Sequence, residues 1–454
     1  MINPRESISR RRAAVCAAYA ACAGASLVGF MLPASAAAGR TGQDKGHERI
    51  SVSDYANQVF TATAKSPGDP NSHVATSFSS WRLAIQAALD EAYNRGGGTV
   101  VIDGGSAPFS HPTLLIDDYL RIRDNTTVVF EAEVVLGDYT KLGSVIDMNG
   151  DNIVVNNPRI NASGLFAGAS GHNGLSGGTC SNVKVNGGTI RNCARGNAGG
   201  AFGGKGFQFE GTFHNVEVSG TTLDTCFMAL STNHDFSSTK PSGPLVFKDI
   251  TAKSCAILLF VAQTNGHDTT GQAHSVALTG FRAKDCGTFE GLMQFSRASN
   301  VQVSDGIVSN ATVIDSLVRG NHSSCRFENI RFTGDCSTAL INLDPSTYAR
   351  DASYRMENNS YSIEQDGTTP YIAYASPTTP NRTLADSRIR ARLTNDVAKK
   401  IVGDELRNAY CVVEAQQGDT CIEVKTADLY LRGLARFASF RGKDEGSCRR
   451  RRPA

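Results

Sequence analysis

Charged and imidazole side chains recur at a regular place in the middle of this chain. Lys205 and Glu210, Asn233-His234-Asp235, Asn265-Gly266-His267-Asp268, Arg297, and Arg319 with Asn321-His322 follow five successive repeated phrases at comparable distances. His274 lies a little further along the third. A stripe of this kind has the ingredients for cutting an acidic sugar chain by β-elimination. The C5 proton of a uronate is too weak an acid to remove until its carboxylate is neutralised, and a base must then stand at that proton. His234 and His267 are the candidate bases, since imidazole titrates near neutral pH, and Arg297 and Arg319 are the candidate carboxylate clamps. Asp235 and Asp268 could orient the imidazoles or hold a divalent cation such as calcium.

Hydrolysis is the competing chemistry, and it needs two carboxyl groups a few ångström apart. Asp235 and Asp268 on neighbouring repeats are the first pair to consider. Glu210, Glu290 and Asp315 stand in reserve, and with Lys205 and His322 they complete the expected substrate contacts. Each residue also has a plainer reading. Asn-Gly-His-Asp is ordinary turn chemistry, and Glu290 and Asp315 would serve equally as solvent-facing strand residues. A groove that binds sugar without cutting it, as in an adhesin, and a uronate epimerase therefore stay open beside the lyase and the hydrolase.

The elements that must position the stripe follow from the repeat. Cys193, Cys226, Cys255, Cys286, Asn310 and Cys336 are separated by 33, 29, 31, 24 and 26 residues. Each closes a phrase in which apolar residues alternate with period two, such as Asn182-Val183-Lys184-Val185, Asn215-Val216-Glu217-Val218 or Asn300-Val301-Gln302-Val303. That alternation marks strands. A second short apolar stretch follows each anchor: Phe227 to Leu230, Ile257 to Val261, Leu292 to Phe295, Val313 to Val318, Ala339 to Leu343. Two or three short strands and polar turns per repeat fit one rung of a parallel β-helix, and no repeat holds the 3.6-period stretch that a helical solenoid needs. Rungs stacked about 4.8 Å apart would turn the Cys/Asn position into a ladder of buried thiols rather than disulfides or zinc ligands.

Upstream, Trp81, Ile85, Ala88, Leu89 and Ala92 share one face of a helix expected from Ser79 to Asn94, suited to covering the open end of a coil. Ala84-Ile85-Gln86-Ala87-Ala88-Leu89-Asp90 followed by Gly96-Gly97-Gly98-Thr99-Val100-Val101-Ile102 resembles the N-terminal start of the pectate-lyase-like superfamily of right-handed β-helices, a start shared by phage tailspike depolymerases and polygalacturonase-type glycosidases. Asn125-Thr126-Thr127-Val128-Val129-Phe130 and Asp151-Asn152-Ile153-Val154-Val155 continue the likeness, which covers about residues 80 to 345. The resemblance implies an all-β chain: a right-handed single-stranded parallel β-helix with an N-terminal capping helix, a small C-terminal extension, and a polysaccharide lying along one face. It is specific for fold and much less so for chemistry. The polygalacturonase-type Asn-Thr-Asp, Asp-Asp, Gly-His-Gly and Arg-Ile-Lys motifs are not present as such, Gly266-His267-Asp268 being a partial echo. Asn233-His234-Asp235 matches only the end of the short epimerase motif.

Composition sets the outer limits. The 454 residues carry 45 Lys plus Arg against 43 Asp plus Glu, a formal charge of +2, which argues against nucleic acid as a partner. Ser9-Arg10-Arg11-Arg12, a small apolar run from Ala13 to Leu32, and Ala34-Ser35-Ala36 resemble a twin-arginine signal peptide with its cleavage site. Residues 1–36 are thus expected to be removed, leaving 41 basic and 42 acidic residues in a secreted or periplasmic protein with no membrane anchor. The expected division continues with an N-terminal segment 37–78, the β-helix with its cap over 79–375, and an extension with a basic tail over 376–454. In that extension Ile389, Leu393, Val397 and Ile401 read as an amphipathic helix, either capping the coil or making a contact between copies of the chain. Cys411 and Cys421, flanking Gln417-Gly418-Asp419, are the best disulfide candidate.

Overall fold

Residues alternating apolar and polar with period two can bury one side only if many strands share a core, and this chain achieves that by coiling. The computed structural model describes residues 49–53, 55, 77–104, 112–137, 143–164, 166–167, 170–194, 203–211, 213–234, 243–263, 275–343, 356–374, 384–385, 387–393, 410–417 and 420–425. Strands follow one another around a right-handed parallel β-helix with three faces. On the first face, Cys180–Asn186, Phe213–Ser219, Leu245–Lys248 and Val276–Thr279 stack in parallel, with Val183, Val216, Leu245 and Val276 in one register column. Short strands such as Thr189–Arg191, Thr222–Asp224 and Thr251–Lys253 form the second face. The third, called the long face below, has ten parallel strands, from Leu120–Ile122 to Tyr371–Tyr374, several of them seven residues long.

Asparagines turn the first corner. Asn125, Asn152, Asn182 and Asn215 take the left-handed conformation that this residue tolerates better than most, with φ between 50° and 59°. Their amides form a ladder: Asn152 donates to Asn125 at 2.9 Å, Asn182 to Asn152 at 3.1 Å, and Asn215 to Asn182 at 2.8 Å.

The cysteine ladder is present for four rungs. Cys193, Cys226, Cys255 and Cys286 are buried free thiols, each three residues past the aligned Ile190, Leu223, Ala252 and Ala283. Cys255 Sγ donates to Lys253 O at 3.3 Å and Cys286 Sγ to Lys284 O at 3.2 Å. Asn310, however, is not the next rung of this ladder. Lys284 pairs with Ser309, so Asn310 aligns with the left-handed Asp285, and Ala311 takes the thiol's place. Cys336 pairs with Val313 and belongs to a different column. Asparagine suits the corner and cysteine the core beside it, so treating them as one position shifted the phase by a residue.

The helix Ser77–Asn94 covers the coil as expected, burying Trp81, Ala84, Ile85, Ala88, Leu89 and Ala92. It ends where the Gly97 N–H returns to Ala92 O at 2.9 Å. A Cβ on Gly97 would lie 2.8 Å from Asn125 O, so only glycine lets the helix close onto the next rung.

The coil runs further in both directions than the repeat indicates. Arg49–Ser51 pairs in parallel with Gly98–Ile102, ahead of the helix. Beyond residue 350, Ser360–Asp366, Arg388–Leu393 and Tyr410–Gln417 continue the stack. Arg388–Leu393 is therefore a strand and not the start of an amphipathic helix. Its Ile389 and Ala391 are buried between exposed Arg388, Arg390 and Arg392, and a four-residue spacing satisfies both periods. Val397 and Ile401 lie outside the described residues, as does residues 1–48. The expected hairpin forms between Tyr410–Gln417 and Thr420–Lys425, but its register sets Cys421 opposite Gln416. Cys411 is five residues, about 17 Å, further along that strand. A disulfide spans only about 7 Å between Cα atoms, so these two are not paired with each other. Among the described residues, no helix is long and apolar enough to cross a membrane.

Candidate functional site on the long face

Along the long face strand after strand carries two adjacent buried residues followed by a third that is mostly polar; Asp147, Ser176, Gln208, Phe260 and Arg319 are part-exposed, while Ser231, Gln294 and Asn342 are buried. Val145-Ile146-Asp147, Gly174-Leu175-Ser176 and Gly206-Phe207-Gln208 are followed in register by Ala229-Leu230-Ser231, Leu258-Leu259-Phe260, Leu292-Met293-Gln294, Leu317-Val318-Arg319 and Leu340-Ile341-Asn342. The third members form one column running the length of the face. Two clusters of chemistry lie on it.

The first centres on Arg319. Its guanidinium grips two carboxylates: Nη1 bonds Glu290 Oε2, and Nε lies 2.9 Å from Asp315 Oδ2. Asn342 Nδ2 donates to both oxygens of Asp315 at 3.0 Å, and Gln294, directly beside Arg319 in the column, donates to Gly291 O at 3.0 Å. The Asp315 side chain is 16% exposed, whereas Glu290 is 42% exposed. Two carboxylates on one guanidinium cannot be much more than about 7 Å apart, inside the roughly 5–9.5 Å that acid and base or nucleophile span in glycoside hydrolysis.

The backbone marks the same segment. Among the described residues, every non-glycine residue with positive φ is Asn, Asp, Ser or Thr except Glu290, at 50°, and Arg297, at 57°. Long side chains are rarely placed in this conformation at no cost, and such outliers gather at functional sites. Arg297 sits where the register slips between Phe295 and Ala298, as the extra residue of a bulge that re-aims its strand.

The second cluster lies toward the N-terminal end. Ser176 Oγ donates to Asp147 Oδ1 at 3.1 Å, and Arg121 stands 3.9 Å from Asp147 Oδ2. Burial raises the Asp147 carboxyl above the usual carboxylate range, partly offset by Ser176 and Arg121. Further along, Asn173 Nδ2 donates to Gln208 Oε1 at 2.5 Å, Gln208 Nε2 to Glu210 Oε2 at 2.6 Å, and Asn233 Nδ2 to Glu210 Oε1 at 3.4 Å. Lys205 begins the same strand and is 93% buried, 7% of its surface remaining exposed.

The stripe expected from sequence is therefore only partly one column. Gln294, not Arg297, pairs with Arg319, so the two arginines are offset by three residues, about 10 Å. Arg319 is already engaged by Glu290 and Asp315 and is not free to clamp a uronate. His234 ends its strand paired with Gln263, and Arg297 follows the Ser296 that pairs with Ala262, so these two close the same edge of the long face. Asp235, His267, Asp268 and His274 lie outside the described residues. His322 is not a substrate contact. It is fully buried, its Nδ1 2.9 Å from Gly320 O and its Nε2 2.5 Å from Tyr361 Oη, between the rings of Phe295 and Phe327. At that point the bulge at Arg297 has changed which residues face outward. Sequence reasoning missed Asn342, Gln294, Gln208, Asn173, Ser176 and Asp147; the paired apolar residues that precede most of them were the signal. Among the described residues no three His, Cys, Asp or Glu side chains gather as metal ligands would.

No protein-family model matches this sequence, and no curated protein matches it either. Solved structures do overlap with it. The A-module of a mannuronan C-5 epimerase from Azotobacter vinelandii is 13% identical, with a TM-score of 0.47, over 81% of this chain and 99% of that one. An exopolygalacturonase from Thermotoga maritima is 10% identical, with a TM-score of 0.47, over 83% and 94%. The Streptococcus pneumoniae surface adhesin PfbA is 11% identical, with a TM-score of 0.40, over 83% and 98%. The chain's own strand registers identify it, independently of these overlaps, as a right-handed parallel β-helix of the kind its N-terminal sequence resembles.

Proposed function

We propose that this is an exported enzyme that binds an acidic polysaccharide along the long face and cleaves its glycosidic bonds by hydrolysis at Glu290 and Asp315. The observation that supports this reading is the grip of one guanidinium, Arg319, on both carboxylates. Hydrolysis needs one carboxyl group to protonate the leaving oxygen and another to act as base or nucleophile. Asp315 accepts from Asn342 on both oxygens and lies against the Arg319 guanidinium, which suits it to act as the base or nucleophile. Glu290, more exposed and on a left-handed corner, is placed to meet the leaving group as the acid.

A lyase is the second reading, favoured by His234 and Arg297 closing one edge of the same face. There Arg297 would neutralise the uronate and His234 would take the C5 proton. Incubation with acidic and neutral polysaccharides, following new reducing ends and the ultraviolet absorbance of unsaturated uronates together, separates the two. Hydrolysis gives reducing ends without absorbance, and Asp315→Asn and Glu290→Gln should each lower turnover by about two orders of magnitude or more. Absorbance that survives both substitutions and is lost in Arg297→Ala replaces the hydrolase by the lyase.

A further inference from the structure

We propose that Lys205 is the anion-reading residue of a second binding centre on the long face, which takes a uronate carboxylate of the bound polysaccharide away from the point of cleavage. The proposal rests on the long face being a polysaccharide groove, but not on which residues cut.

Lys205 is nine-tenths buried, yet among the described residues its ammonium has neither a hydrogen-bond nor an ion-pair partner; its backbone N–H donates to Asn173 Oδ1 at 3.1 Å. A buried cation without a partner is costly, and a ligand that supplies the missing anion removes that cost. Glu210 is the one carboxylate whose charge reaches Lys205, but both its oxygens are already engaged, one by Gln208 and the other by Asn233. Burial lowers the affinity of Lys205 for its proton, so an incoming carboxylate also stabilises the charged form. Along the same strand and its two neighbours, the linked amides of Asn173, Gln208 and Asn233 supply the donors and acceptors that sugar hydroxyls need.

Register gives the separation. From the strand Lys205–Gly211 to the strand holding Arg319 there are four steps, about 19 Å. A short oligosaccharide can thus occupy the carboxylate pair without reaching Lys205, whereas a polymer spans both.

The test is equilibrium binding of polygalacturonate and alginate, each compared with the same polymer after chemical reduction of its carboxylates to alcohols. Wild-type protein should prefer the acidic form by about tenfold or more, the scale of one charge-assisted contact. Lys205→Met, which keeps the apolar stem, should lose that preference while binding the reduced polymer unchanged, and Lys205→Arg should restore most of it. A wild type that does not discriminate overturns the proposal. So does a Lys205→Met variant that keeps the preference or weakens both forms equally. Binding is read without turnover, so full activity in Glu290→Gln would remove the cleavage assignment and leave this result standing.

Discussion

Arg319 lies across Gly291: a Cβ built on Gly291 would stand 2.6 Å from the Cβ of Arg319 and 3.4 Å from its Cδ. The absence of a side chain at 291 is what lets the guanidinium reach Glu290 on one side while holding Asp315 on the other. Gly291→Ala should push the arginine stem outward and separate the carboxylates. We expect kcat/KM to fall about a hundredfold, the scale of an ångström-sized misplacement, with a stability loss of about 1–3 kcal/mol from overpacking. Kinetics and urea midpoints measured together check this. Unchanged kinetics would remove Arg319 from the machinery.

His322 supplies a pH dependence of stability. In the neutral ring that its surroundings require, Nδ1–H donates to Gly320 O and Tyr361 O–H donates to Nε2, the tautomer being inferred from these partners. Burial lowers its pKa from 6.5 to about 4, the Gly320 carbonyl opposing the shift. The unfolded chain therefore takes up the proton first as pH falls. The stability contribution is complete above about pH 6.5, declines between 6.5 and 4, and levels below that, a span of roughly 3 kcal/mol. Urea midpoints across this range should show the decline in wild-type protein and lack it in His322→Gln. Parallel curves for the two proteins would show that the ring does not titrate as described.

How much of this was readable in the sequence depended on which residues carry a period. The strand alternation of Val183, Val185, Val216 and Val218 and the apolar face from Trp81 to Ala92 are local signals, and both coil and cap followed from them. The phase between rungs was harder, because Asn at a corner and Cys beside it look alike when only spacing is counted. Asn310 and Asp285 share a left-handed backbone, a similarity invisible in their side chains. The polar column of the long face was marked by paired apolar residues, Leu292-Met293 before Gln294 and Leu340-Ile341 before Asn342. Two adjacent buried residues break strict alternation, so a period-two reading passes over them. Arg297 was found for its charge, but its bulge, and with it the burial of His322, depends on a register slip that needs both strands to define.

The thiols test that rung phase directly. Cys193, Cys226, Cys255 and Cys286 stand in one buried column, and Cys180, Cys325 and Cys336 are buried elsewhere in the core. Burial pushes the Cys180 and Cys325 thiols up to about 12, while Cys226, Cys255, Cys286 and Cys336 are also raised, in the ladder chiefly by hydrogen bonds between neighbouring sulfurs and in Cys336 by burial. The thiolate is the reactive form, and a pKa near 12 instead of about 8.5 cuts its population roughly a thousandfold or more near neutral pH. All seven are buried away from reagent, and they should resist alkylation in native protein for hours and react together once denaturant unfolds the coil. Peptide mapping after a short pulse of reagent distinguishes them from the other cysteines of the chain. Rapid modification of several of the four ladder thiols would mean that the second corner of each rung faces water, and the register placing Arg319 between Glu290 and Asp315 would fall with it.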